Sequence, residues 1–148
     1  MDTMSDDDPM TSEREFNTRN IAEFRANDGK VSGQFEGFPL LIMTSTGAKS
    51  GEPRENLIGY FDIDDTIYIV GSAAGRDASP AWVFNLRADP TVTVEIGPNP
   101  PTQMVARELP KADRDNVYAR IVELAPGFGE YEKRTDRVIP VFELAPSA

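Results

Sequence analysis

The sequence predicts a mainly β, α+β domain: an antiparallel barrel of about six strands with flanking helices. Three observations point there. Six strand-like runs follow one another with mostly short connections, and only two or three helical segments are spaced among them. The chain has 148 residues, enough for one domain with a real core, and shows no internal repeat or interdomain linker. Six strands with mostly short connections and so few helices argue against a parallel βαβ sheet.

In chain order, Met1 to Pro9 holds four Asp and no cation, so residues 1–12 are expected to be a disordered acidic leader and residues 13–148 a single domain. Thr11 or Ser12 suits the cap of a helix running to about Asn27, with Glu13 and Glu15 at its positive end. Phe16, Ile21 and Phe24 give that helix a narrow apolar stripe, expected to pack on the domain. Glu13, Glu15 and Glu23 argue against attraction to anionic lipid. Gly29, Gly33 and Gly37 then break the pattern. Strands are expected over Pro39–Thr44, Glu55–Ile63 and Thr66–Ser72, with Asp62 to Asp65 as a turn. Ala73–Ser79 reads as a small-residue loop, and Pro80 suits the first turn of a short helix ending near Ala88. Strands Thr91–Ile96 and Gln103–Leu109 follow, then a helix over Lys111–Leu124 with Val117, Ile121 and Leu124 on its apolar face. Pro126 and Gly127 interrupt it before the aromatic segment Phe128 to Tyr131 and a last strand, Val138–Leu144.

Composition excludes several functions. A formal net charge of −10 is wrong for a general nucleic-acid binder, which must neutralise phosphates. With no Cys there is no disulfide framework, thiol nucleophile or thiolate metal site. With no His, the commonest general base, the Ser-His-Asp triad and imidazole-bound metals are also gone. Chemistry here must rest on a cofactor, or on Tyr, Ser, Lys, Arg and carboxylates. No apolar run reaches transmembrane length and the acidic N-terminus is unlike a signal peptide, so the cytoplasm is the default compartment, with peripheral membrane contact left open.

The stretch LLIMTSTGAKSGEPRENLIG, Leu40 to Gly59, carries the most chemistry. Two strand-like runs flank a polar loop with four hydroxyls from Thr44 to Ser50, two glycines, and the cations Lys49 and Arg54. Gly47 and Gly51 permit positive φ, where successive N–H groups converge, and the set suits an anion such as phosphate or carboxylate. The plainer alternative is a hairpin turn with a solvated Lys. It is not a Walker A loop, because Ala48 and not Gly precedes Lys49.

Other side chains stand out singly. Ser72 is either a turn serine or a ligand contact, and Trp82 either core or a stacking platform. Asn85 either braces a helix end or touches a ligand. Phe128 and Tyr131, three apart, would share one face of a helical turn. Thr135-Asp136-Arg137 reads first as a local charge pair anchoring the last strand, and second as a substrate contact.

The order of these features resembles the deazaflavin-dependent nitroreductase family, split β-barrel reductases that use reduced coenzyme F-420. The segments that carry the resemblance are LLIMTSTGAKSGEPR, IYIVGSAAG, SPAWVFNLRADPTVTVEIG and APGFGEYEKRTDRVIPVFEL, covering most of the chain from Phe16 to Leu144. The family's fold is a split antiparallel barrel of the flavin-mononucleotide-binding type, in keeping with the strand pattern. The resemblance implies that Ala48, Lys49 and Ser50 bind the coenzyme's phosphate and oligoglutamyl tail. It implies that Arg54, Glu55, Asn56, Leu57, Ile58 and Gly59 lie along the tail and ring, with Ser72, Ala73, Ala74 and Gly75 beside the ring. Ala81, Trp82, Val83, Phe84 and Asn85 would close the other side, and Trp82, Ala125, Phe128 and Tyr131 would line the acceptor pocket. Ser72 and Tyr131 are the candidate catalytic hydroxyls: deazaflavin chemistry delivers hydride, so the chain need only bind, orient and exclude water, and the proton comes from solvent or from a Tyr or Ser hydroxyl. Ala73 stands where many members have Lys, and Ala125 and Phe128 stand where the nitroimidazole-activating member has Tyr. The implied activity is hydride transfer from reduced F-420 to a flat electrophile such as a quinone or an enone. A flavin-mononucleotide- or haem-binding protein on the same barrel, and a cofactor carrier without turnover, are the competing readings. A monomer without a metal is expected.

Overall fold

The computed structural model describes residues 9–27, 29, 39–72 and 79–146, with side chains from residue 18 onward. Its elements in order are helix α1 (Pro9–Ala26), strands β1 (Leu40–Thr46), β2 (Pro53–Gly59), β3 (Phe61–Ile63) and β4 (Thr66–Val70), helix α2 (Ala81–Ala88), strands β5 (Thr91–Ile96) and β6 (Thr102–Glu108), helices α3 (Lys111–Leu124) and α4 (Gly127–Arg134), and strand β7 (Val141–Pro146). All strand pairs are antiparallel, in one sheet of order β2-β1-β5-β6-β7-β4-β3.

The outermost strands of that order, β2 and β3, are separated in the chain by a single residue, Tyr60. A chain that leaves one edge and enters the other within one residue forces the sheet to curl until its edges adjoin. The Tyr60 N–H donates to the Pro39 carbonyl at 3.1 Å, fastening this corner to the start of β1. The expected strand Glu55–Ile63 is therefore two strands, and the barrel has seven instead of about six.

The curled sheet has two unlike faces. Leu41, Met43, Ile69, Val92, Val94 and Phe142 point inward and pack on Trp82, Val83 and Leu86 of α2. On the outside, Leu40, Ile42 and Leu57 meet Ile21 and Phe24 of α1. Burying each such side chain contributes roughly 1.5–3 kcal/mol. β1 is thus covered on both faces, which is why LLIM reads as a continuous apolar run without alternation. Arg25 fixes the end of α1 by 2.6 Å ion pairs to Glu55 of β2 and Glu95 of β5. α1 begins at Pro9, ahead of the hydroxyl caps proposed at Thr11 or Ser12, and the Phe16 side chain of the expected stripe lies outside the described residues.

α3 and α4 cover the outer face at β3, β4 and β7, through Phe61, Ile63, Val70 and Val141. The expected apolar face of α3 needs correcting. Leu124 is 64% exposed, and the buried positions are Arg114, Tyr118 and Ile121, at i, i+4 and i+7. Arg114 is admitted because each guanidinium nitrogen has a partner: Nε donates to the Ile139 carbonyl at 2.8 Å, Nη1 pairs with Asp115 at 2.9 Å and Nη2 with Glu132 of α4 at 2.8 Å, and the group lies over the Tyr118 ring. The start of the last strand also moves. Val138–Pro140 precedes β7, because Pro140 has no N–H to give a ladder and the Ile139 carbonyl is taken by Arg114. Among the described residues no helix is long and apolar enough to cross a membrane.

The Tyr118 hydroxyl donates to the Phe128 carbonyl at 2.7 Å, and burial, with the Glu132 carboxylate nearby, pushes its pKa up to about 12. An unfolded chain loses this proton near pH 10, so the contribution of Tyr118 is complete below pH 10 and is lost as pH rises towards 12. Tyr118→Phe is expected to lower the unfolding free energy by about 1–2 kcal/mol at pH 7 and to flatten the fall in stability above pH 10. Urea titrations at pH 7, 10 and 11 measure both, and equal slopes above pH 10 would contradict the assignment.

Candidate functional site

The loop between β1 and β2 is a rigid turn. Gly47 N–H donates to the Glu52 carbonyl at 2.8 Å and Gly51 N–H to the Gly47 carbonyl at 2.9 Å. Gly51 takes a positive φ of 72°, whereas Gly47 does not; it is glycine for want of space, since a Cβ there would lie 2.6 Å from Ser50 Oγ and 3.3 Å from the Glu52 carbonyl oxygen. Ser50 Oγ accepts from the Glu52 N–H at 3.1 Å and from Arg54 Nη2 at 3.3 Å, and Arg54 also approaches Glu52 at 3.7 Å. Arg54 therefore braces the loop from within.

The other cation is placed differently. Ala48, Lys49 and Ser50 are exposed at the tip, and the Lys49 ammonium has no ion pair among the described residues. The backbone N–H groups of Lys49 and Ser50 likewise have no hydrogen-bond partner among the described residues. Two spare N–H donors and an ammonium at one tip are the kind of donor set an anion requires, and the internal bonds of the loop hold them in place.

The tip is latched to α2 by Asn85, whose Oδ1 accepts the Ala48 N–H at 2.9 Å and whose Nδ2 donates to Ser45 Oγ at 3.4 Å. Asn85 and Ser45 are both buried. Of the two roles open to Asn85, the structure shows bracing, of the loop and not of its own helix end. α2 is seated by Pro80 before its first turn, as the sequence suggests. Trp82 is only 6% exposed, edge-on to Phe142 with ring centroids 5.8 Å apart, and Val83 is fully buried. Of the α2 residues expected beside the cofactor, Ala81 and Phe84 are exposed, the latter 51% exposed beneath the Arg87 guanidinium.

On β2 the expected contacts divide by face. Arg54, Asn56 and Ile58 lie opposite Ser45, Met43 and Leu41, the inward residues of β1. Glu55 and Leu57 lie on the α1 side, Glu55 in the Arg25 ion pair and Leu57 against the α1 cluster. Gly59 ends the strand beside Tyr60, whose phenol is pushed up in pKa by burial and then by Asp62, and so stays protonated.

Ser72 is half-buried just past β4, and Ala73, Ala74 and Gly75 lie outside the described residues. Gly71, before it, is wedged against α2: a Cβ would fall 2.7 Å from Val83 Cγ2 and 2.9 Å from Pro140 Cγ. The end of β4, at Gly71 just before Ser72, and the Lys49 loop therefore both abut the same short helix, at Val83 and Asn85. Ala125, Phe128 and Tyr131 gather elsewhere. Phe128 stands edge-on to Phe61 and to Tyr131, at centroid distances of 5.3 and 5.2 Å, on the outer cluster under α3 and α4. Trp82 belongs to the interior cluster on the opposite sheet face, so it shares no wall with that pair, contrary to the expected pocket. A depression of about 250 Å³ lies beside the loop, where Thr44, Thr46 and Gly51 meet Asp89, Thr91 and Thr93. Only strand pairing brings those two stretches together, and no local signal marks it.

Comparison with known proteins agrees with this architecture. Residues 17–146 match the family model described as F-420H(2)-dependent quinone reductase. The chain is 33% identical over 129 residues to the F-420H(2)-dependent quinone reductase of Mycobacterium tuberculosis, covering 83% of this chain and 85% of the relative. A solved F-420-H2 dependent reductase, FDR-A, is 36% identical with a TM-score of 0.64 over 72% of this chain and 93% of its own. Another solved structure, described as a domain-swapped dimer, is 35% identical with a TM-score of 0.66 over 92% of this chain and 98% of its own. At 14% identity, HutZ, the haem storage protein of Vibrio cholerae, shares the fold alone, with a TM-score of 0.55 over 88% of this chain and 89% of its own.

The Asn85 latch can be tested whatever the loop binds. Asn85→Ala should cost about 1–3 kcal/mol of stability, because it leaves the Ala48 N–H and Ser45 Oγ unpaired. Amide exchange at Ala48, followed by NMR, should accelerate at least tenfold while exchange in β7 stays as it was. An unchanged Ala48 amide would mean that the loop holds its shape without the latch.

Proposed function

Because the chain belongs to the F-420H(2)-dependent quinone reductase family, we propose that it binds reduced coenzyme F-420 through the β1–β2 loop and reduces a quinone. The observation that carries this reading is the loop tip, where the ammonium of Lys49 and the N–H groups of Lys49 and Ser50 are all available. An acidic protein that keeps such donors together at one rigid turn suits a small ligand with several negative charges, such as a phosphate bearing a glutamate chain. The donor set therefore fits the cofactor.

When bound, reduced F-420 supplies the hydride. The protein's own tasks are then to hold the cofactor, keep water away and provide a proton. In this reading Lys49 takes the tail's charge and Arg54 stiffens the turn. Arg54, Asn56, Ile58 and the Gly59 backbone present the inward side of β2, while Glu55 and Leu57 serve the α1 side. Ser72 stands beside the ring with Ala81 and Phe84 of α2 opposite, and Trp82 and Val83 support α2 from the core. Ser72 and Tyr131 remain the hydroxyls offered for the proton. The acceptor meets Ala125, Phe128 and Tyr131, an aromatic and aliphatic surface that favours flat apolar electrophiles through contact area and ring stacking. A nitro group would find few polar partners there. The sequence favours a monomer, whereas a solved structure 35% identical to this chain is a domain-swapped dimer.

Three outcomes test the proposal. Titration with oxidised F-420 and, in parallel, flavin mononucleotide should show tighter binding of F-420. Lys49→Ala should raise the F-420 Kd by roughly 5- to 30-fold at low salt, about 1–2 kcal/mol, and the difference should shrink at 0.5 M salt as ions screen the exposed ammonium. Deazaflavin oxidation should be clear with menadione or a cyclic enone and poor with a bicyclic nitroimidazole. Nitroimidazole as the better substrate would overturn the acceptor pocket, and an unaltered Kd in the variant would overturn the tail site.

A further inference from the structure

We propose that Arg137 is a positioning residue for hydride transfer, tying Ser72 and the entrance of α2 into one fixed arrangement. The inference rests on the reading that Ser72 lies beside the cofactor ring.

Arg137 sits in the segment between α4 and β7, half-buried. Its Nη2 donates to the Ser72 carbonyl at 2.8 Å and to the Gly71 carbonyl at 3.1 Å, and its Nη1 donates to Ser79 Oγ at 3.2 Å. Its own N–H donates to Thr135 Oγ1 at 3.3 Å, which shapes the turn that aims the side chain. Arg137 thus makes a local bond within Thr135-Asp136-Arg137 and also reaches well beyond its own segment.

The three guanidinium bonds join two stretches otherwise attached at different places. Gly71 is already fixed by its wedge between Val83 and Pro140 and by its N–H bond to the Pro140 carbonyl at 2.9 Å. Ser72, one residue on, has left the β4 ladder, and its carbonyl is held by Arg137. Ser79 immediately precedes Pro80, the cap of α2, so the same guanidinium also sets the helix that carries Ala81 and Phe84. The segment bearing Arg137 continues from α4, where Phe128 and Tyr131 lie. One planar cation thus connects the elements proposed to bracket the cofactor with the helix proposed to meet the acceptor. A planar fork can serve two carbonyls and a hydroxyl at once, which a Lys ammonium on a flexible stem does not reproduce.

Hydride transfer makes this consequential, because reactivity falls steeply when the reacting atoms leave contact distance, and a misplacement of about 1 Å can cost about 100-fold in rate. Binding at the tail should be indifferent, since Lys49 lies on another loop. A role in positioning therefore separates kcat from affinity.

The test compares Arg137→Lys and Arg137→Gln with the wild type. Both variants should bind oxidised F-420 within threefold of the wild-type Kd, and kcat with menadione should fall at least tenfold in each, Lys giving no rescue. Free guanidinium at a few millimolar should recover part of the rate of an Arg137→Ala variant. In the protein without cofactor, hydrogen exchange should quicken at least fivefold in peptides containing Gly71–Ser72 or Ser79–Trp82, with β1 and β5 unaltered. A kcat preserved in Arg137→Lys, or a loss explained by a Kd rise alone, would overturn the proposal, as would unaltered exchange at both stretches. Absence of F-420 binding in the wild type would sink the functional reading instead, and the exchange measurement would still decide whether Arg137 holds the two stretches together.

Discussion

Closure of the sheet at Tyr60 is the constraint on which the rest of the molecule depends. β2 and β3 are the two edges of a seven-stranded sheet, yet one residue joins them, so the sheet cannot lie open. Closing it creates an interior that seven strands alone do not fill. α2 fills it with Trp82, Val83 and Leu86, against inward residues of β1, β4, β5 and β7. Barrel and plug are thus one packing problem, and the short helix is as much core as the strands are.

The candidate site follows from where that plug emerges. Asn85 on α2 latches the β1–β2 loop, and Val83 on the same helix abuts Gly71 at the end of β4. Two loops far apart in sequence are thereby referred to one rigid helix before a ligand is present. This pre-organisation spares a ligand the entropy of ordering the loops itself. The loop's cations divide the work: Arg54 is used internally, and Lys49 is left at the tip.

The outer face shows the same economy of parts. α1 is attached by a small apolar cluster and by Arg25, which bridges Glu55 and Glu95. Glu55 is therefore a structural residue on a strand whose opposite side is proposed to meet the cofactor. α4 leans on α3 through the Tyr118 hydroxyl and the Arg114–Glu132 pair, which gives the Phe128–Tyr131 pair a fixed seat instead of a free lid.

Local chemistry was legible in the residues themselves. The barrel class, Pro80 at the head of a helix, the limits of α3 and the cation-bearing glycine loop all rest on short-range rules of period, turn and capping, and the order of these motifs named the family. What pairing and closure decide was not legible. Periodicity placed Leu124 on the buried face of α3, where the structure seats Arg114, because an arginine can enter a core once a carbonyl and a carboxylate from elsewhere in the chain receive its charge. Trp82, read from its sequence context first as core and by resemblance as a site wall, packs in the interior cluster. The break at Tyr60, the division of β2 between two faces, the Asn85 latch and the reach of Arg137 to Gly71 and Ser72 each join residues distant in sequence. A side chain's neighbours across such distances are set by strand order and sheet curvature, which no local window of sequence contains, so only the tertiary structure could assign them.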